Sequence, residues 1–92
     1  MALLGDAEIE EKLAALPGWE RRGEAIEKSF KRDDFVGSAR FVDALVAPAE
    51  EMNHHPDVAI SWDTVTVAIS THSEGGLTAA DFELAQKIDA LA

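Results

Sequence analysis

Apolar and polar positions along this chain switch between two periods, and the switches mark its elements. Ile9, Leu13 and Leu16 fall at i, i+4 and i+7 over residues 6–16, one face of a short helix that Asp6 is placed to cap. Leu16-Pro17-Gly18 ends it, because proline disfavours helical geometry before it and glycine permits a turn. Trp19 to Arg22 reads as a first strand and Gly23-Glu24 as a hairpin turn. Ile26, Lys28 and Phe30 alternate with polar neighbours as a second strand. From Asp33-Asp34 to about Met52, Phe35, Ala39, Val42, Val46 and Ala49 recur every three or four residues, the stripe of a longer helix. Pro48 lies inside it. The backbone bond it removes and the clash of its ring cost roughly 3 kcal/mol, and the continuing stripe predicts a kink near Ala44 rather than a break.

Val58, Ile60 and Trp62 alternate as a third strand, Asp63-Thr64 turn the chain, and Val65, Val67 and Ile69 alternate as a fourth. Gly75-Gly76 interrupt the pattern. Thr78 with Asp81 three residues on has the form of a capping box, and Phe82, Ala85, Ile88 and Leu91 follow on one face of a closing helix. The order helix, two strands, helix, two strands, helix predicts one α+β domain over residues 1–92, a four-stranded antiparallel sheet with three helices packed on one face. A sheet edge or the opposite face is then available to a second copy.

Composition narrows the function classes. A chain of 92 residues buries a smaller fraction of its surface than a large one, so self-association would help stabilise it. The formal net charge of −10 repels phosphate backbones, and the nearest basic cluster, Lys28, Lys31 and Arg32, sits beside Asp33 and Asp34; no direct nucleic-acid binding is expected. There is no cysteine, which excludes disulfides, thiolate metal sites and thiol nucleophiles. The first residues lack the basic start and apolar core of a signal peptide, and no apolar run is long enough to span a membrane. A cytoplasmic location is expected.

The chemistry gathers in one stretch. All three histidines, His54, His55 and His72, lie between residues 54 and 72, two at the end of the long helix and one where the fourth strand meets the glycine-rich loop. Imidazole is the side chain that most readily gives or takes a proton near neutrality, and the end of a helix favours its protonated form. A single loop histidine is commonly a hydrogen-bonded surface residue, Asp81 has a capping role that needs no chemistry, and Trp62 at strand parity suits a core. Zinc is an alternative ligand for three histidines and a carboxylate. Adjacent residues point in different directions, however, so a broad organic ligand fits the His54-His55 pair better than one ion.

Taken together, Glu50, three residues, His54-His55-Pro56, five residues, Trp62, nine residues, His72, eight residues and Asp81 resemble the motif of the pterin-4a-carbinolamine dehydratases. Leu16-Pro17-Gly18-Trp19, Asp34-Phe35, Ser70-Thr71-His72 and Gly76-Leu77-Thr78 extend the resemblance from about Ile9 to Leu91. It departs from the family at Arg32, where relatives commonly carry an aromatic residue, and at Pro48. The resemblance implies dehydration of a 4a-hydroxytetrahydropterin to the quinonoid dihydropterin, without metal or other cofactor, in a homodimer that in some relatives pairs into a tetramer. It implies a catalytic set of His54, His55, His72 and Asp81. His54 and His72 would act as alternative proton donors, His55 chiefly as a positioning residue, and Glu50 and Asp81 as orienting carboxylates. Pro56, Trp62, Thr71, Ser73 and Glu74 complete the substrate-binding set. A non-catalytic partner or assembly role on the same fold is the competing expectation.

Overall fold

In a computed structural model that describes residues 2–92, the elements follow in the order α1 (Asp6–Ala14), β1 (Glu20–Arg22), β2 (Ala25–Lys31), α2 (Phe35–Met52), β3 (Asp57–Ser61), β4 (Thr64–Ile69), a 3-10 turn (His72–Glu74) and α3 (Ala79–Asp89). Met1, the first residue of the expected domain, lies outside the described residues. The four strands form one antiparallel sheet in the order β1-β2-β4-β3, as the alternating patterns predict. Ile26 and Phe30 of β2 and Val65, Val67 and Ile69 of β4 share one face of it. They bury against Ile9 of α1, Phe41 and Leu45 of α2, and Phe82, Leu84, Ala85 and Ile88 of α3. Thr66, Ala68 and Ser29 point the other way, and the hydroxyls of Ser29 and Thr66 meet there at 3.0 Å. Among the described residues no helix is long and apolar enough to cross a membrane.

Several local expectations change. Gly5, not Asp6, stands at the start of α1, and the Asp6 carboxylate instead pairs with Arg21 at 2.9 Å. Trp19 precedes β1 and is buried, its indole N–H donating to the Asp89 carboxylate at 3.1 Å. The α2 helix runs unbroken through Pro48, but the stripe it buries is Ser38, Phe41, Leu45 and Ala49. Phe35 and Val46 of the predicted stripe are more than half exposed, and Ala39 faces solvent as well. The helix carries two adjacent apolar stripes, and periodicity alone cannot tell which one meets the sheet. Leu91 lies beyond the end of α3 and is exposed.

The largest revision concerns the hairpin between β3 and β4. Ser61 pairs with Thr64, so the turn is Trp62-Asp63 and Trp62 is not a strand residue. A two-residue hairpin turn requires a left-handed backbone, and Trp62 adopts it at φ 52°, a conformation uncommon for a bulky side chain. Asp63 anchors the turn from inside. Its carboxylate takes hydrogen bonds from Lys31 and Thr64, and its carbonyl accepts from the Arg32 N–H at 2.6 Å. The indole of Trp62 is left 69% exposed, with the Lys31 ammonium 6.0 Å from its ring centre.

Candidate active site

The last turn of α2 determines where the histidine pair points. Asn53 closes the helix in the left-handed conformation at φ 50°, and the N–H groups of Asn53 and His54 return to the carbonyls of Glu50 and Ala49 at 3.2 and 2.9 Å. Asparagine tolerates that geometry better than most residues. The chain reverses there, and the two imidazoles diverge. His54 turns inward, 14% exposed, and its Nε2 lies 2.6 Å from Oδ1 of Asp81. His55 turns outward, more than half exposed, with its Nε2 2.5 Å from Oε2 of Glu50 one turn back along α2.

Asp81 is the deepest polar group of the site, fully buried in the first turn of α3. A buried carboxylate is costly unless its oxygens are satisfied, and here donors reach both. Besides His54 on Oδ1, Oδ2 accepts from the Thr71 hydroxyl and from the Thr78 N–H, each at 2.8 Å. Thr71 and Thr78 hydroxyls are 2.9 Å apart. Thr71 has one proton and spends it on Asp81, so Thr78 donates to Thr71. The carboxylate that the sequence marks as a helix cap therefore performs two tasks: it caps α3 and holds an imidazole from another element. With an ionised Asp81 facing Nε2, the proton of neutral His54 sits on Nε2 and the lone pair on Nδ1.

Thr71 also connects the two histidine groups. It immediately precedes His72, and the Thr71–Gly76 bridge closes the loop that contains the 3-10 turn. His72, Ser73 and Glu74 all face solvent on that turn. Nε2 of His72 lies 3.9 Å from Oδ2 of Asp57, the first residue of β3 and the neighbour of Pro56. His54, His55, Pro56, His72 and Asp81 thus meet at one end of the sheet, with Glu50, Thr71, Ser73 and Glu74 around them. Beside them is an apolar cavity of about 190 Å³ lined by Val42, Leu45, Val46, Ala49, Glu50, His55, Pro56 and Val58. Among the described residues no three His, Asp or Glu side chains converge closely enough to hold a metal ion.

Trp62 is the exception within the predicted set. It stands at the far end of the β3–β4 hairpin, six residues along an extended chain from Pro56 and therefore roughly 20 Å away. One copy of the chain does not bring it to the histidines. Thr78 and Asp57 are the participants that sequence reasoning missed. The capping-box pattern already marked Thr78, whereas no local signal marks Asp57, which meets His72 only through the β3–β4 pairing.

Comparison with known proteins shows the family and the fold. Residues 2–91 match the family described as pterin 4 alpha carbinolamine dehydratase. A Thermosynechococcus vestitus protein, provisionally named a pterin-4-alpha-carbinolamine dehydratase, is 51% identical over 97% of this chain and 94% of its own length. A Mycobacteroides abscessus protein with the same provisional name is 46% identical over 97% of this chain and 95% of its own. Among solved structures, a Brucella melitensis protein described as a transcriptional coactivator/pterin dehydratase superposes with a TM-score of 0.94 at 38% identity, covering 99% of each chain. A pterin dehydratase-like protein identified as a RuBisCO assembly factor in the alpha-carboxysome superposes with a TM-score of 0.66 at 25% identity, over 80% of this chain and 86% of its own.

Proposed function

Because the chain belongs to the pterin-4a-carbinolamine dehydratase family, we propose that it removes water from a 4a-hydroxytetrahydropterin, giving the quinonoid dihydropterin, as a single-domain homodimer in the cytoplasm. The observation that carries this reading is the buried Asp81 holding His54 beside the loop of His72. Hydroxide leaves poorly, so the 4a-oxygen must be protonated as its bond to carbon breaks. The bonding electrons depart with the oxygen as water, and the ring cation left behind loses a proton to a base. Each positioned proton transfer contributes about 10²–10⁴-fold.

His54 and His72 are the groups for these two transfers. His54 presents Nδ1 to the substrate side while Asp81, through Nε2, fixes its tautomer and compensates its charge when protonated. Asp81 acts on the reaction through His54 and is a positioning residue. His55, fixed by Glu50 and bordering the apolar cavity, seats the flat ring, with Pro56, Ser73 and Glu74 at its margin. Thr71 supports Asp81 from behind.

The test is direct: follow the decay of enzymatically generated 4a-hydroxytetrahydropterin with and without the protein. Acceleration well above the spontaneous rate, lost in His54→Ala, is the expected result. A rate equal to the blank overturns the reading. A second reading, an assembly or partner role on the same fold, draws on the apolar residues Phe35, Ala39 and Val46 that α2 leaves exposed. It would stand in place of catalysis if the protein were folded and inert toward every pterin tried.

A further inference from the structure

Acidic residues outnumber lysine and arginine in this chain by 18 to 8, so every cation has carboxylates to choose from. Four of the eight hold one: Arg21 meets Asp6, Arg22 meets Glu20, Lys28 meets Asp89 and Lys31 meets Asp63. Of the other four, Lys12 and Lys87 belong to different helices, whereas Arg32 and Arg40 line one cavity. That cavity measures about 650 Å³, against about 190 Å³ for the one beside His55, a size ordinary for small-molecule sites. Its apolar side is formed by Val36, Phe41, Ala44 and Leu91.

Both guanidinium groups are left uncompensated. Arg32 is half-buried, with its guanidinium carbon 5.0 Å from the ring centre of Phe41. Its Nε donates to the Lys31 carbonyl at 2.8 Å, and among the described residues its terminal nitrogens make no hydrogen bond or ion pair. Arg40 is exposed and makes neither kind of contact among the described residues. Asp33 and Asp34 line the same cavity without pairing to either arginine. Asp34 uses Oδ1 to accept the Gly37 N–H at 2.7 Å, so the start of α2 is already capped from within the chain.

We propose that this cavity binds a small organic monocarboxylate with an apolar body, its carboxylate held by Arg32 and Arg40 and its body against Phe41, Ala44 and Leu91. Two like charges in one cavity repel, and an anion between them turns that repulsion into attraction. The guanidinium fork matches the two oxygens of a carboxylate. Other ligand classes fit less well. A polyanion meets the net charge of −10 everywhere beyond this patch. A doubly charged phosphate is repelled by Asp33 and Asp34 twice as strongly as a single carboxylate, and it has no use for the apolar wall. An uncharged apolar molecule gains nothing from the two arginines.

The cavity is separate from the histidines. Arg40 precedes His54 by fourteen residues, roughly 20 Å of helix, and no residue lines both this cavity and the one beside His55. A molecule bound here is therefore not the pterin of the proposed reaction, and its binding does not require that reaction.

Phenylacetate is a suitable probe, and phenylacetamide is its uncharged match of nearly equal size. Titrated into ¹⁵N-labelled protein, phenylacetate should shift the amide signals of Arg32, Gly37, Arg40 and Leu91 and leave those of His55 and His72 in place. A Kd on the order of 1 mM is expected for so small a ligand. Phenylacetamide should bind about tenfold more weakly or worse, as should phenylacetate to Arg32→Gln and Arg40→Gln. Arg40 is exposed, so Arg40→Gln decides the matter if Arg32→Gln, which loses its contact with Phe41, fails to fold. Arg21→Gln, outside the cavity, should bind as the wild type does. Ala44→Phe occupies the apolar side with both arginines intact and should also weaken binding by about tenfold, which a bare cationic patch would not show. No shifts up to about 10 mM phenylacetate, equal binding of the amide, or unchanged binding by Arg40→Gln or Ala44→Phe overturns the proposal. Shifts confined to the histidines would place the probe in the candidate active site and overturn it as well. Inorganic phosphate that displaces phenylacetate at a lower concentration than phenylacetate itself requires would overturn the choice of a monocarboxylate.

Discussion

Each end of the sheet is organised around one buried aspartate, and the two are used in opposite ways. At the Trp62 end, Asp63 is 8% exposed and is held by Lys31 and Thr64. That pair closes a turn. At the histidine end, Asp81 is fully buried and holds the imidazole of His54, which is 14% exposed. The same acid closes a hairpin turn through Lys31 and, at the candidate site, anchors an imidazole from another element. What distinguishes the two aspartates is the residue each holds, and the proposed function gives a chemical task only to the one that holds an imidazole.

The hardest blow to this contrast is Asp81→Asn. The carboxylate accepts from three groups, His54 Nε2, the Thr71 hydroxyl and the Thr78 N–H. An amide offers one oxygen and an NH2 group. With the oxygen toward Thr71 and Thr78, the NH2 meets His54 and forces the imidazole proton from Nε2 to Nδ1, removing the lone pair that the proposed mechanism uses. A fall in kcat of about 10²-fold is expected, with a loss of stability of about 1–3 kcal/mol from the disturbed network. Steady-state kinetics and urea unfolding check the two separately. Wild-type turnover in this variant would mean that Asp81 is only a helix cap, as Asp63 is only a turn anchor.

His55→Ala should split the two readouts. The side chain is more than half exposed and its hydrogen bond is to an exposed Glu50, so stability should change by no more than about 0.5 kcal/mol. Turnover should still fall by about tenfold or more, if seating the ring is its task. A matching loss of stability and activity would show a structural role. Thr71→Val comes next. It keeps the side-chain shape but removes the proton donated to Asp81, at a cost of about 1–3 kcal/mol for a buried acceptor left short. Activity should fall less than in Asp81→Asn, because Thr78 still holds the carboxylate, and a pH–rate profile displaced from the wild type would separate an effect on His54 from simple loss of folded protein.

The fold was largely legible in the sequence because its strands alternate cleanly and its turns carry their own residues. Gly23-Glu24 and the Thr78–Asp81 pair needed nothing beyond local chemistry. The misreadings all required information from elsewhere in the chain. Two apolar stripes on α2 are equivalent until the sheet chooses between them. Trp62 fits strand parity, and only the pairing of Ser61 with Thr64 moves it into the turn. The candidate site was legible as a set of residue types only through the family resemblance in the spacing of Glu50, His54, His55, His72 and Asp81. Which imidazole is buried, and which carboxylate it meets, was not. That depends on the reversal at Asn53 and on packing between α2 and α3, neither of which has a local sequence signature.

The mildest prediction tests the other half of the contrast. The hydrogen bond from Lys31 holds the Asp63 carboxyl below its ordinary value of 3.8, with Thr64 assisting and burial opposing. A carboxylate whose folded pKa is depressed stabilises the fold fully above the unfolded value, and that contribution is lost as pH falls through the lower folded one. Asp63→Asn removes it. Urea midpoints of wild type and variant should therefore differ by a constant amount from neutrality down to about pH 5, then converge as the solution is acidified below about pH 4. Lys31 is mostly exposed, so solvent screening keeps the gap small, and added salt should narrow it further. The kcat should hold throughout the neutral range, because Asp63 stands at the opposite end of the hairpin from the three histidines. A gap that widened on acidification would reverse the sign expected of a salt-bridged acid, and Asp63 would then be a carboxyl that the fold prefers protonated.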